Sequence, residues 1–554
     1  MSETSKDFQK LVALRRSWLN AYEDKAMRER LIYRIEEIEY AGFSDQQKSE
    51  FRTYKQQAAE YVRLRIACPN MKIDPEKYIT AQKPPAGKPK ILFGTMELAN
   101  YCATLSKALR DMEVEAYAID YSNHPFKYGA DLLRGRFPGN YEETLKMIEF
   151  TAELIVEFDV FNFFFCWTLL PGFADLPVYR EMDKKTIFYY LGGEVRLYSV
   201  SSRRNPYLAL TEEAVYSNHM SQDIHNFVNL VTCSAYANAG SGYGEFTDLL
   251  KVYYPHYFEH YQPVRVEDFP EVVSNESAEN EKFLIVHAPS NGPIKGTQFV
   301  LDAVDELKEQ YDFDFQLIHR IPHAEAMEIY KRADLIIDQL ILGFHGILAI
   351  EAMALGKPVV VYLDEAGQKF FHKDIPTINA NPDNIREVIE WALSNKEKIK
   401  ELGRRGPHHV KENHDAAKIA KFLLEQYETV PLLKPIKTKY ISGNDTMSET
   451  EVTIAFEHFN KAGKSFTDYF SKNNYQNVLI DGDNEISQVL FEILTKYKQD
   501  MEVDYLDPAA MELYEDIDMV VVTHKTGTIE AVKTISNAMP NTQVVSLMEL
   551  LLLI

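Results

Sequence analysis

Cysteine is scarce in this chain of 554 residues: Cys68, Cys102, Cys166 and Cys233 are all there are, and they stand far apart. No CxxC pair occurs, which excludes a zinc framework or a disulfide scaffold of the usual spacing, and the four read as small buried residues. Long apolar runs are missing too. None approaches the roughly 18 residues that a membrane-spanning helix needs, and the closing 547–554 segment is too short. The opening MSETSKDFQK is polar and lacks the apolar centre of a secretory signal. Positive charge is in short supply: 60 Lys and Arg against 83 Asp and Glu leave a formal net charge of −23. That balance argues against a nucleic-acid partner and against adhesion to anionic lipid over the whole surface. A local basic patch is compatible with any net value. The expectation is a soluble, cytoplasmic protein, with peripheral contact at a membrane left open.

What is present is a globular composition, 45% hydrophobic and 12% aromatic, in a chain too long for one core. Four regions are expected. Residues 1–82 are charged, with apolar residues near helical spacing (Leu11, Leu14, Leu19; Leu31, Ile35, Ile38), and read as a helical hairpin that docks on the main body or on another subunit. Residues 88–270 read as an α/β domain with parallel strands at Ile91–Phe93, Val114–Ile119, Val160–Phe165 and Thr186–Tyr190, and late strands at Val231–Ser234 and Lys251–Pro255. Residues 281–429 read as a second doubly wound domain, its last helix, Ala416–Tyr427, crossing back to the first. Residues 475–554 read as a small Rossmann-like accessory domain that lacks GxGxxG at its first turn. Pro- and Gly-rich or acidic stretches at 82–90, 274–282 and 430–450 read as linkers.

The chain is organised around Ala333–Asp364. An apolar strand at Leu335–Ile337 is followed by the turn Gly343-Phe344-His345-Gly346, a helix from Ile347 to Leu355 stopped by Gly356 and Pro358, and a second strand, Val359–Tyr362. Strand, glycine-rich loop and helix N-terminus suit an anionic ligand. Upstream, Lys295-Gly296-Thr297 reads as the opening of a helix, a place where a cation makes sense beside a bound anion. Ligands of parallel sheets bind beyond the C-terminal strand ends, so Gly94 and the 121–128 segment, with His124, should border a cleft.

The block EAMALGKPVV opened by Glu351, with the DQ pair Asp338-Gln339 and HAPS…KGT before it, resembles the donor-binding segment of the family-4 retaining glycosyltransferases. The resemblance covers about 90–427. It implies the GT-B architecture, two Rossmann-like domains facing across a cleft, and metal-independent transfer of a sugar from a nucleotide-sugar with retention at the anomeric carbon. It implies catalytic roles for Lys295 at the diphosphate and Glu351 at the ribose. Donor contacts would come from Gly94, Ser290, Lys295, Gly343, Phe344, His345, Gly346, Ile347 and Glu351, and acceptor-side contacts from Gly192, Arg196 and His124. No cofactor is implied beyond the nucleotide-sugar, which is the donor substrate. The acceptor would be a glycan, a lipid-linked molecule or a protein, and the N-terminal helices or the C-terminal domain would serve oligomerisation or a partner subunit.

Three positions depart from the family pattern. Gly343 stands where a first Glu is usual, Leu191 replaces a His, and Pro289 and Ser290 occupy the place of an Arg, with His287 or Arg320 as candidate substitutes. These departures keep two other readings in view: a catalytically degenerate transferase-like subunit and, with less support, a nucleotide-sugar epimerase.

Overall fold

The computed structural model describes residues 3–67, 74–85, 87–122, 129–133, 141–269, 282–319, 321–371, 374–433, 470, 475–482, 487–488, 490–491, 494–495, 502–514, 516–523 and 528–546. It falls into two compact units: Met1–Leu191, Tyr236–Thr247 and His256–Thr438 form the first, and Gly192–Ala235, Asp248–Pro255 and Lys439–Ile554 the second.

The first unit holds two parallel sheets. Strands β1 (Ile91–Gly94), β2 (Ala116–Asp120), β3 (Leu132–Leu133), β4 (Val160–Phe164), β5 (Lys185–Tyr189), β6 (Ala239–Ser241) and β7 (Tyr257–Phe258) run in the order β3-β2-β1-β4-β5-β6-β7. Strands β8 (Phe283–His287), β9 (Phe313–Leu317), β10 (Leu335–Ile337), β11 (Val359–Val361) and β12 (Ile378–Asn379) run β12-β11-β10-β8-β9. Every neighbouring pair in both sheets is parallel. Parallel strands are covered on both faces, which is why β1, β10 and β11 are unbroken apolar runs, and β4 is broken only by Asn162, with every residue of the four buried. Two doubly wound sheets in succession are the GT-B architecture. In the second sheet the order reverses between β8 and β10, and the site lies beyond their C-terminal ends.

The helix Ala416–Thr429 belongs to the core of the first sheet, not the second: Ala416, Ile419, Ala420, Leu423 and Tyr427 pack with Ile91, Phe93, Leu105 and Leu109. Its Tyr427 hydroxyl donates to Asn162 Oδ1 of β4 at 2.8 Å. Just before it the chain is stitched to the crossover: Val264 N–H donates to His414 O at 2.8 Å and Ala416 N–H to Val264 O at 2.9 Å.

Two expected strands are helical instead. Val231–Ser234 lies inside the helix His219–Tyr236, and Lys251–Tyr253 ends the helix Thr247–Tyr253. The sheet is continued by β6 and β7, which are too short and too glycine- and tyrosine-rich to stand out by pattern. In the second unit, β13 (Asn477–Asp481), β14 (Glu502–Tyr505), β15 (Met519–Val522) and β16 (Gln543–Ser546) form a parallel sheet in the order β14-β13-β15-β16.

Among the described residues the N-terminal region holds three long helices, Glu3–Asn20, Lys25–Glu39 and Asp45–Ala67, and a short one, Pro75–Tyr78, where a hairpin was expected. They dock on the first sheet's layer through a buried charge cluster. Arg15 is fully buried and its guanidinium reaches Glu39, Glu157 and, at 2.8 Å, Glu115. Lys55 and Lys90 share Glu157 at 3.1 and 2.8 Å. Trp18 stacks on Phe158 beside this cluster. A buried ion pair loses most when one partner is removed, because the other charge stays desolvated. Arg15→Met is therefore expected to cost roughly 3 kcal/mol or more of unfolding free energy, read from urea titration of the full chain. A loss inside the range of surface substitutions would show that the cluster does not anchor these helices.

Candidate active site

Three strand ends and one loop build the site. β8 ends at His287 and leads through Asn291 into a single helical turn, Gly292–Lys295. The Asn291 side chain caps that turn by accepting from Ile294 N–H at 3.3 Å. Gly296 then takes a left-handed conformation, φ +76°, and the long helix Thr297–Lys308 begins. Lys295 is thus the last residue of a short helix, where a cation suits the macrodipole, and does not open the long one as expected.

The anion beside Lys295 is supplied by the protein. Its ammonium donates to Asp338 Oδ1 at 3.1 Å and to Gln339 Oε1 at 2.7 Å, two residues that directly follow β10. Asp338 Oδ2 accepts the Gly346 N–H at 2.6 Å, and Gln339 Nε2 donates to Phe344 O. Lys295 and the glycine-rich loop are therefore held together through the Asp338-Gln339 pair. A Cβ on residue 346 would stand 2.9 Å from Lys295 Nζ, so any side chain there would push the lysine tip away from the loop.

The loop itself, Gly343–Gly346, precedes the helix Ile347–Ala354, with Gly346 as its N-cap and Ile347 its first residue. Gly343 has φ +77°, and a Cβ there would come within 2.5 Å of the Asp364 carboxylate. The family's usual Glu has neither the backbone conformation nor the room at this position. Phe344 turns away and is buried with Val361, Leu363 and Phe371. Its ring takes the space over Gly244 in the turn after β6, φ +66°, where any Cβ would overlap it. Tyr243 and Phe370 complete this aromatic contact between the two sheets' loops.

His345 is buried, with its ring stacked on Phe371 at 3.9 Å between centroids and 5.5 Å from that of His414. Burial, with His409 nearby, pushes it down to about 3, so it is neutral at physiological pH. Glu351 lies one turn into the helix, 8% exposed, and its Oε1 meets His323 Nε2 at 2.7 Å. That hydrogen bond raises the His323 pKa.

His287 does not serve as a second cation: it is buried, its Nδ1 meets Ile337 O and its Nε2 Thr297 Oγ1, both at 2.9 Å, and burial lowers its pKa. Ser290 is exposed in the turn after β8. Gly94 ends β1, where a Cβ would lie 2.5 Å from Ile119 O, which is reason enough for glycine. Gly192 and Arg196 belong to the second unit, joined by a turn in which Arg196 N–H donates to Gly192 O at 2.9 Å. His124 and Arg320 lie outside the described residues.

Sequence reasoning did not assign roles to Asp338, Gln339, His323 or Asp364. Asp338 carried a signal, since it is the first residue past a buried strand at the point where strand order reverses. Nothing in the sequence links His323 to Glu351, 28 positions away. Among the described residues no group of three His, Cys, Asp or Glu is arranged to hold a metal ion, and no helix is long and apolar enough to cross a membrane.

Residues 292–425 match the family model described as glycosyl transferase-like, a span that contains Lys295, the glycine-rich loop and Glu351. No curated protein matches the chain. Among solved structures it is similar to sucrose-phosphate synthase from Thermosynechococcus elongatus, at 13% identity over 62% of this chain and 99% of that one, TM-score 0.47. It is similar to a glycosyltransferase from Rickettsia africae, at 13% identity over 62% and 99%, TM-score 0.44. Anabaena HepE in complex with UDP-glucose matches at 14% identity over 62% and 100%, TM-score 0.42.

Two outcomes test this geometry. Gly343→Glu is expected to lower stability by about 1–2 kcal/mol from the left-handed backbone alone, more with the crowding against Asp364, and to bring no gain in ligand binding. The melting temperature and a nucleotide titration decide it. The His323–Glu351 contact gives a pH signature. A folded-state pKa raised above the unfolded value contributes stability that is present at low pH and is lost as pH rises through the folded pKa. The stability difference between wild type and His323→Gln should therefore be largest below the ordinary imidazole range near ~6.5 and fade above it. A difference that grows with pH would assign the contact the wrong way round.

Proposed function

We propose that this chain is a glycosyltransferase that moves a sugar from a nucleotide-sugar to an acceptor, with retention at the anomeric carbon and without a metal. The observation that carries the reading is the convergence of the Lys295 ammonium and the Gly346 N–H on Asp338 at the β8/β10 switch point, just before Glu351. An ammonium has three N–H donors, and Asp338 and Gln339 take two of those on Lys295. The third, with the first amides of the helix Ile347–Ala354, would stabilise charge on a departing diphosphate. Glu351 would accept hydroxyls of the ribose, with His323 fixing its orientation. The acceptor is a glycan, a lipid-linked molecule or a protein.

One observation favours a second reading, a degenerate subunit that steadies a partner. Asp338 already lies between the cation and the loop amide, as an anionic ligand would. Turnover separates the two. If the chain is an enzyme, Lys295→Ala cuts kcat by about 10²–10³, the worth of one preorganised donor. Glu351→Ala weakens nucleotide-sugar binding by about 1–3 kcal/mol in calorimetry, and EDTA leaves turnover unaltered. No transfer by the wild-type chain, with a partner's activity indifferent to Lys295→Ala, would establish the helper role.

A further inference from the structure

Asp364 follows β11 and its backbone N–H donates to Gly343 O at 3.0 Å, tying it to the glycine-rich loop. The two oxygens of its carboxylate have different surroundings. Oδ1 accepts the Gly367 N–H at 2.8 Å and caps the helix Glu365–Phe370. Oδ2 stands 2.5 Å from the point where a Cβ on residue 343 would be. The loop position that carries no side chain is thus faced by a carboxylate from the neighbouring strand end. Burial pushes the Asp364 pKa up to about 6, with Glu245 and Glu365 adding to the rise, so the group is ionised at neutral pH in a locally negative setting. A carboxylate so placed accepts hydrogen bonds from hydroxyl or ammonium groups and repels another carboxylate.

Resting on the nucleotide-sugar reading above, we propose that Asp364 accepts the hydroxyls of the donor sugar beside Gly343 and selects neutral or aminated sugars over hexuronates. The departure at Gly343 then moves a carboxylate from one chain position to another and does not remove it. The donor is a nucleotide-linked hexose or hexosamine.

The test is calorimetry on the full chain with UDP, UDP-glucose and UDP-glucuronate, and with GDP and ADP as alternative nucleotides. Asp364→Asn keeps an oxygen for the helix cap and loses the charge. Wild type is expected to bind UDP-glucose about tenfold tighter than UDP-glucuronate; Asp364→Asn should lose about tenfold for UDP-glucose, narrow that gap, and leave UDP unchanged. If UDP affinity falls in parallel, the loop has been disturbed, and Asp364→Ser, which also retains a capping oxygen, decides on the same criterion. Equal binding of UDP-glucose by wild type and variant, or a wild-type preference for the glucuronate, overturns the inference while leaving the nucleotide site standing. A wild-type chain that binds none of UDP, GDP and ADP removes the site reading itself, and this inference with it.

Discussion

One carboxylate, Asp338, holds the centre of this molecule together. It follows β10, draws in the Lys295 ammonium from the β8 side and takes the Gly346 N–H from the loop on the other side. Without it the cation and the helix N-terminus would face each other as like partial charges in a partly buried place. Gln339 repeats the arrangement with neutral groups, accepting from Lys295 and donating to Phe344 O. Everything else near the site depends on this join. A side chain at Gly346 would displace the lysine tip, and Gly343 is glycine because the loop must turn in front of Asp364.

The self-supplied anion also sets the terms for any phosphate that arrives. An incoming diphosphate meets a lysine with two of its three N–H donors taken and a Gly346 amide already bonded, so what is left to it is the third donor and the next amides of the helix. Capture by a partly paired cation is weaker than capture by an unpaired one.

Much of the architecture was legible because parallel strands buried on both faces leave unbroken apolar runs. β1, β10 and β11 could be found that way, β4 and β8 despite Asn162 and a terminal His287, and the stretch from β10 to β11 gave the loop and the helix as well. Val231–Ser234 was misread because a short run of small, partly β-branched residues looks the same in a strand and on the buried face of a helix. The site was only half legible. Lys295, Gly346 and Glu351 sit in recognisable blocks, but their partners Asp338, Gln339 and His323 are chosen by strand order and helix placement, which spacing along the chain does not encode. Asp364 escaped notice for the same reason: its relation to Gly343 exists only once β10 and β11 lie side by side.

The contact of Phe344 with Gly244 has a consequence for how sequences of this kind can diverge. The ring fills the volume that any side chain at 244 would need, and the backbone at 244 is left-handed as well. The two positions, one on each sheet's loop, are therefore not free to drift separately. A relative that gains a side chain at the first must shrink the second, and with it must re-seat the loop that carries Gly346. Paired change at 244 and 344 is thus the expected mark of a shifted donor loop in a homologue, and joint retention the mark of an unchanged one.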